Sequence, residues 1–164
     1  MDALTRAPGA PAGLAVAPES PLSPDLDRLF ARHVEAMHAD TPPESIHMLP
    51  RTDLVSPLID FLVLRADGQP VGMGALKRIG PDHGEIKSMH VLAERRGQGL
   101  ARRMLDALTD QARARGYARL SLETGAQDSF RTARELYARA GFVECDPFAD
   151  YGPDPNSVYM TRQV

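Results

Sequence analysis

The residues whose types and spacing point most directly to chemistry are Arg95-Arg96-Gly97-Gln98-Gly99-Leu100-Ala101. They follow a short apolar-rich segment, Glu85–Leu92, that reads as a strand. After them Leu100, Met104, Ala107, Leu108, Gln111 and Ala112 recur at helical spacing, with Arg102, Asp106, Asp110 and Arg113 largely opposite. A glycine turn running into a helix start leaves several N–H groups unpaired and pointing one way, backed by the positive end of the helix dipole. Such a turn is an anion site suited to phosphate. Gly97 and Gly99 carry no Cβ to hold a pyrophosphate off the backbone. Arg95, Arg96, Arg102 and Arg103 add four cations, although the whole chain is net −3. The bland alternative is a polar turn capping an amphipathic helix. A Gly-x-Gly alone would favour it, but strand, turn, arginines and helix together favour the phosphate site.

The elements that must position this turn can be read along the chain. Met1–Ala12 is rich in Ala, Pro and Gly without a period and reads as a disordered tail, leaving 13–164 as the folded domain. Gly13–Ala17 suits a short edge strand. Ser23 reads as an N-cap with Pro24 at the first helical position, ahead of a stripe of Leu26, Leu29, Phe30, His33, Val34 and Met37. On that stripe His33 reads as a core or boundary residue rather than a ligand. Thr41–Pro50 is a loop, and Asp53–Ser56 suits a helical turn. Phe61–Leu64, Val71–Lys77 and the strand from Glu85 form a meander, with Asp67-Gly68 as a hairpin signal. Later come a strand at Leu120–Glu123 and a helix carrying Phe130, Ala133, Leu136, Tyr137 and Ala140. Strands at Phe142–Cys145 and Val158–Arg162 follow, separated by the long loop Asp146–Ser157. The fold class is therefore α/β (α+β): a mixed, mostly antiparallel sheet of six to seven strands with helices on both faces.

Composition narrows the function. A chain of 164 residues with 43% hydrophobic and 25% charged content is one domain with one real core. The net charge of −3 argues against general nucleic-acid binding. No stretch approaches a membrane span. Ala15-Val16-Ala17 resembles a cleavage site, but Pro8, Gly9, Pro11 and Gly13 interrupt the segment before it, so a cytoplasmic location is expected. One cysteine, Cys145, cannot form an internal disulfide; burial as a small apolar residue is its default, and no metal cluster is expected. A dinucleotide fold would want a small residue where Arg102 stands, although Glu123 lies near the place of a ribose-binding acid. A Walker loop is excluded because no Gly-Lys-Ser/Thr occurs.

Arg96-x-x-Gly99-x-Ala101, after a strand ending Met89-His90-Val91, resembles the acetyl-CoA signature of the GNAT N-acetyltransferases. The resemblance covers roughly Leu14 to Arg162. It is close to a group of small bacterial GNAT proteins in which sequences like Pro42-Pro43-Glu44-Ser45, Gly84-Glu85-Ile86-Lys87-Ser88-Met89 and Asp154-Pro155-Asn156-Ser157 recur. The resemblance implies the GNAT fold, with coenzyme A pyrophosphate on the N–H groups of about Gly97–Ala101 and with Arg96, Gly97, Gln98, Gly99, Leu100, Ala101 and Arg102 as cofactor-binding residues. It also implies pantetheine bonded like an extra strand to the backbone of Met89, His90 and Val91, with a nearby N–H polarising the thioester carbonyl.

It further implies two catalytic side chains. Glu85, six residues before Val91, matches the glutamate base of one branch. A base is needed because a lysine-like amine, with a pKa of about 10.4, arrives protonated. His90 on the same strand is a second candidate, since histidine titrates near neutrality. Tyr137, within Leu136-Tyr137-x-x-x-Gly141-Phe142, matches the general acid that protonates the departing thiolate, and so also stands at the cofactor. Where many relatives carry an asparagine this chain has Phe130, leaving Gln127, Ser129 or water to replace it. The acceptor pocket is expected from Thr41–Leu49 and Asp146–Ser157, with Glu44, Ser45, His47, Asp150, Tyr151, Asp154 and Asn156 as polar candidates. The implied activity is direct transfer from acetyl-CoA to a small-molecule or peptide amine by a monomer or homodimer, without metal, nucleic acid or membrane. The rivals are a coenzyme-binding sensor without turnover and a nucleotide-dependent oxidoreductase.

Overall fold

In the computed structural model, which describes residues 13–164, seven strands form one sheet in the order β1-β2-β3-β4-β5-β7-β6. The expected tail Met1–Ala12 lies outside the described residues. The strands are β1 (Leu14–Pro18), β2 (Ile59–Ala66), β3 (Gln69–Gly80), β4 (His83–Val91), β5 (Arg119–Gly125), β6 (Val143–Glu144) and β7 (Ser157–Gln163). The helices are α1 (Asp27–Asp40), α2 (Leu100–Ala114) and α3 (Arg131–Arg139). Every pairing is antiparallel except β4 with β5, which are joined through α2. A parallel pair needs such a crossover, whereas the hairpins β2–β3 and β3–β4 turn tightly. Asp67 (φ 49) and Gly68 (φ 82) make the first of these turns in left-handed conformations.

Strand alternation divides the core in two. Leu62, Leu64, Leu76, Ile86, Leu120 and Leu122 face α2 and α3 with Met104, Leu105, Leu108 and Ala140. On the other face Phe61, Val63, Met73 and Ala75 pack under Leu26 and Leu29, at and before the start of α1. α2 comes close to β3 because Gly74 lacks a side chain: a Cβ there would lie 2.8 Å from Leu108 Cδ1. Ser23 precedes a single 3-10 turn, Pro24–Leu26, and makes no side-chain cap bond, so α1 proper begins later than the N-cap signal implied. The helical turn expected at Asp53–Ser56 falls at Arg51–Leu54. Cys145 lies just beyond β6 and is half-buried, less enclosed than expected for a small apolar residue. No helix among the described residues is long and apolar enough to cross a membrane.

Candidate active site

β4 and β5 pair only from His83↔Arg119 to Ile86↔Leu122. Beyond that point β4 stays with β3 as far as Val91, and β5 stays with β7 as far as Gly125, so the two strands part. The local cause lies in β4. Ser88 takes a left-handed φ of 52°, and the register slips between Met73 and Ala75, so Gly74 alone opposes Ser88 and Met89. This is a β-bulge, which bends the strand that carries it. It also resets the side-chain alternation. Lys87 lies opposite Ala75, and His90, an odd number of residues later, lies opposite Met73 on the same face.

The parting of the strands leaves a cleft of about 130 Å³ that reaches both faces of the sheet. On the helix side it is lined by Leu122, Phe130, Ala133 and Tyr137. On the other side Glu85, Lys87 and Glu123 share one face, as the register Glu85↔Ser121 requires, and meet His47 and Tyr151 from the two loops. Glu85 is 3% exposed and accepts through Oε2 from the Tyr151 hydroxyl at 2.5 Å and from Lys87 Nζ at 3.2 Å. Lys87 Nζ also donates to the Tyr151 hydroxyl at 2.7 Å and to the His47 carbonyl at 3.4 Å. Burial and the neighbouring Glu85 carboxylate push the Tyr151 phenol well above its ordinary pKa, so it stays a donor. Glu123 Oε1 accepts from Ser157 Oγ at 2.8 Å, and burial raises its pKa.

The loops that close this side hold each other. Asn156 Nδ2 donates to Ser45 Oγ at 3.2 Å, and His47 Nε2 stands 3.7 Å from Asp154 Oδ2. Asp154 Oδ1 accepts from the Asn156 N–H at 2.8 Å, which with Ser45 and His47 holds its carboxyl below the usual range. Phe148, Tyr151 and Tyr159 pack ring to ring at 5.1–6.0 Å, and the Tyr159 hydroxyl donates to the Gly152 carbonyl at 2.7 Å. Of the three segments 42–45, 84–89 and 154–157, the second lines the cleft, and the other two are joined to each other by the Asn156–Ser45 bond.

On the helix side Tyr137 is 7% exposed, and its hydroxyl makes no hydrogen bond among the described residues. Burial, with Glu123 adding a smaller push, raises its pKa to about 12. At the start of α2, Gly97 (φ 79) and Gly99 (φ 74) are left-handed, and a Cβ on either would meet nothing within 4 Å. The N–H groups of Gly97, Gln98, Gly99, Leu100, Ala101 and Arg102 find no acceptor among the described residues. Arg96 and Arg102 are exposed here, and Arg102 bonds Asp106 at 3.0 Å.

The expected residues divide accordingly. Glu85, Tyr137 and Met89 line the cleft; Gly97–Arg102 form a bare run of amides; Val91 ends β4 just before that turn. His90 is corrected as a base. Its ring packs against His33 at 5.3 Å, outside the lining of the cleft, and burial, followed by Arg96 and Arg32, lowers its pKa to about 4. Phe130 does line the cleft, while Gln127 Nε2 lies 3.5 Å from Asn156 Oδ1. Sequence reasoning missed Glu123 as a cleft carboxylate, and missed that Lys87 joins Tyr151 on Glu85. The available signal was paired alternation, Glu85 and Lys87 on one strand and Ser121 and Glu123 on its neighbour. No group of three or more His, Cys, Asp or Glu among the described residues could hold a metal ion.

The model of the Acetyltransferase (GNAT) family matches residues 26–142. The uncharacterized N-acetyltransferase YsnE of Bacillus subtilis is 46% identical over 83% of this chain and 90% of its own length. The IAA acetyltransferase of Azospirillum brasilense is 39% identical over 91% and 97%. Among solved structures, an acyl-CoA N-acyltransferase from Klebsiella pneumoniae superposes with a TM-score of 0.75 at 30% identity, covering 92% of this chain and 97% of that one. N-acetylglutamate synthase of Neisseria gonorrhoeae, solved with coenzyme A and N-acetyl-glutamate, shares the fold (TM-score 0.70, 23% identity), covering 94% of this chain and 36% of that one.

Proposed function

This chain belongs to the GNAT family of acetyltransferases, and from that membership we propose that it carries the acetyl group of acetyl-coenzyme A directly to an amine, of a small molecule or an exposed peptide, within a ternary complex. One observation carries the reading. A bare run of amides at the start of α2 follows, after a single 3-10 turn, on β4, the strand that bounds a cleft with a buried carboxylate on one side and an unpartnered phenol on the other.

Acetyl-coenzyme A supplies an activated thioester. The residues present suit it: the amides of Gly97–Arg102 and the two left-handed glycines offer a pyrophosphate seat. The β4 backbone from Lys87 to Val91 has no β5 partner, so Met89, His90 and Val91 can bond a strand-like arm. Glu85 takes the proton that an incoming ammonium must lose. Both of its protein bonds fall on Oε2, which leaves Oε1 for that proton. Lys87 and Tyr151 fix the carboxylate in place, as a base within hydrogen-bond reach must be fixed. Tyr137 keeps its proton at working pH because burial raises its pKa to about 12, and it holds that proton ready for the departing sulfur.

The test is coenzyme A thiol release from acetyl-CoA with a panel of primary amines, products being identified by mass spectrometry. Amine-dependent thiol release with a matching acetylated product is expected. Tight acetyl-CoA binding with no turnover on any amine would instead make the protein a sensor.

A further inference from the structure

The loop side of the cleft adjoins a second hollow that the transfer chemistry does not use. A groove of about 500 Å³ runs between α1 and residues 48–51 and shares His33, Met48 and Ser88 with the cleft. Phe30, Ala31, Val34, Met48, Leu49 and Pro50 give it an almost wholly apolar lining. Arg51 fixes its far wall. The guanidinium bonds the carbonyls of Pro21 and Ser23 at 2.7 Å each and Asp27 Oδ1 at 2.6 Å, and lies 4.5 Å over the Phe30 ring. The volume lies within the range usual for small-molecule pockets. His33 stands between cleft and groove, and its burial lowers its pKa to about 4, so the passage is uncharged at neutral pH.

The cleft end of this passage has the opposite character. Two carboxylates, Glu85 and Glu123, face one ammonium, Lys87, within it. Each carboxylate keeps one oxygen without a protein partner among the described residues: Glu85 Oε1 and Glu123 Oε2. The Tyr137 phenol, more than nine-tenths buried and without a partner, faces the same space. Glu85 is buried and Glu123 half-buried, and burial raises the Glu123 pKa, so keeping both ionised carries a cost that a cation between them offsets. A single ammonium, bonded by the two free carboxylate oxygens, is such a cation.

From this adjacency we infer that the acceptor is a two-part molecule: a primary ammonium held by Glu85 and Glu123, carrying an apolar aryl or alkyl body that lies in the groove between α1 and residues 48–51. The inference rests on the acetyl-transfer reading and names its substrate class. Polar amines such as amino sugars or free amino acids would leave the groove lined but empty. An apolar body without an amine would leave the carboxylates unanswered.

The experiment measures binding apart from turnover. Phenethylamine, 2-phenylethanol and ethylamine are titrated calorimetrically into the coenzyme A-loaded protein. Phenethylamine is expected to bind roughly tenfold or more tightly than either of the others, since each lacks one of the two contacts. Glu123→Gln should abolish the preference for amine over alcohol. Ala31→Gln, a neutral change at an exposed helical position, should narrow the preference for phenethylamine over ethylamine. Three probes binding within about threefold of one another in the wild type would overturn the inference. So would two variants that keep both preferences. If the probes bind alike but some amine still releases thiol, acetyl transfer stands and the two-part acceptor falls. If phenethylamine binds with the stated preference and no amine releases thiol, the ligand class stands and the transfer falls.

Discussion

The roles proposed for Tyr137 and Glu85 rest on what surrounds them. The Tyr137 phenol has burial on every side but the cleft, and no protein acceptor among the described residues to orient its proton. An ordinary core tyrosine satisfies its hydroxyl. Tyr137→Phe is therefore expected to lower kcat by about a hundredfold, typical for losing a general acid, while the affinity for acetyl-CoA changes little. Equal losses in both, measured by thiol release and by calorimetry, would make the residue a packing element. The pair His33 and His90 gives a pH-dependent prediction. Burial holds each near 4, below the ordinary 6.5, so both are neutral in the folded state. Their stabilising contribution is present above about 6.5 and is lost as pH falls toward 4, by at most about 1.4 kcal/mol per pH unit for each histidine. Urea unfolding at pH 7 and pH 5 should show the wild type losing more stability between the two than His33→Gln. A decline of the same size in both would sink the assignment.

At the scale of elements, two backbone features make the site. One is the bulge at Ser88, which parts β4 from β5 and returns His90 to the α1 face. The other is the left-handed entrance to α2. Gly99 has open space where a Cβ would go, so packing does not require glycine there; its φ of 74° does. Gly99→Val should lower stability by about 1–3 kcal/mol through backbone strain. It should also weaken coenzyme A binding by roughly tenfold or more, because the adjacent amides would turn and a branched side chain would cover them. A variant that unfolds at lower urea yet binds coenzyme A within about threefold of the wild type would move the pyrophosphate seat elsewhere. Gly74 carries a different requirement, the close approach of Leu108 and Met104, and bears on packing rather than on ligand.

For the whole molecule, the loop side of the cleft exists only because segments far apart in sequence are tied together. Asn156 reaches Ser45 across 111 positions, and Tyr151 reaches Glu85 across 66. Asn156→Ala removes the bond to Ser45 and the weaker contact from Gln127, together worth roughly 1–2 kcal/mol. Steady-state kinetics should show the acceptor KM rising several-fold with the acetyl-CoA KM unchanged. A rise in both, or in neither, would detach these loops from the acceptor pocket. The two sides of the cleft thus have separate supports, α2 and α3 for the helix side, where coenzyme A is proposed, and the two long loops for the other, where the acceptor is proposed.

Much of this was legible in the residues because much of it is local. Strand alternation, helical spacing and the glycine turn depend on neighbours a few positions apart, and they located the meander, α2 and α3 to within a few residues. The run of free amides at the Arg96-x-x-Gly99-x-Ala101 turn was legible because amide direction follows from backbone conformation alone. What sequence could not disclose was decided by register and by long-range contact. A single left-handed serine determines which face His90 occupies, and burial there removes it as a base near neutrality. Glu123 becomes a cleft carboxylate only because β5 pairs beside β4 with Ser121 opposite Glu85. Lys87 and Tyr151 meet on one oxygen of Glu85 only because the loop before β7 folds back over the sheet. Periodicity fixes which side of its own strand a residue takes; which residues then stand within bonding distance across strands and loops is settled by the packed fold.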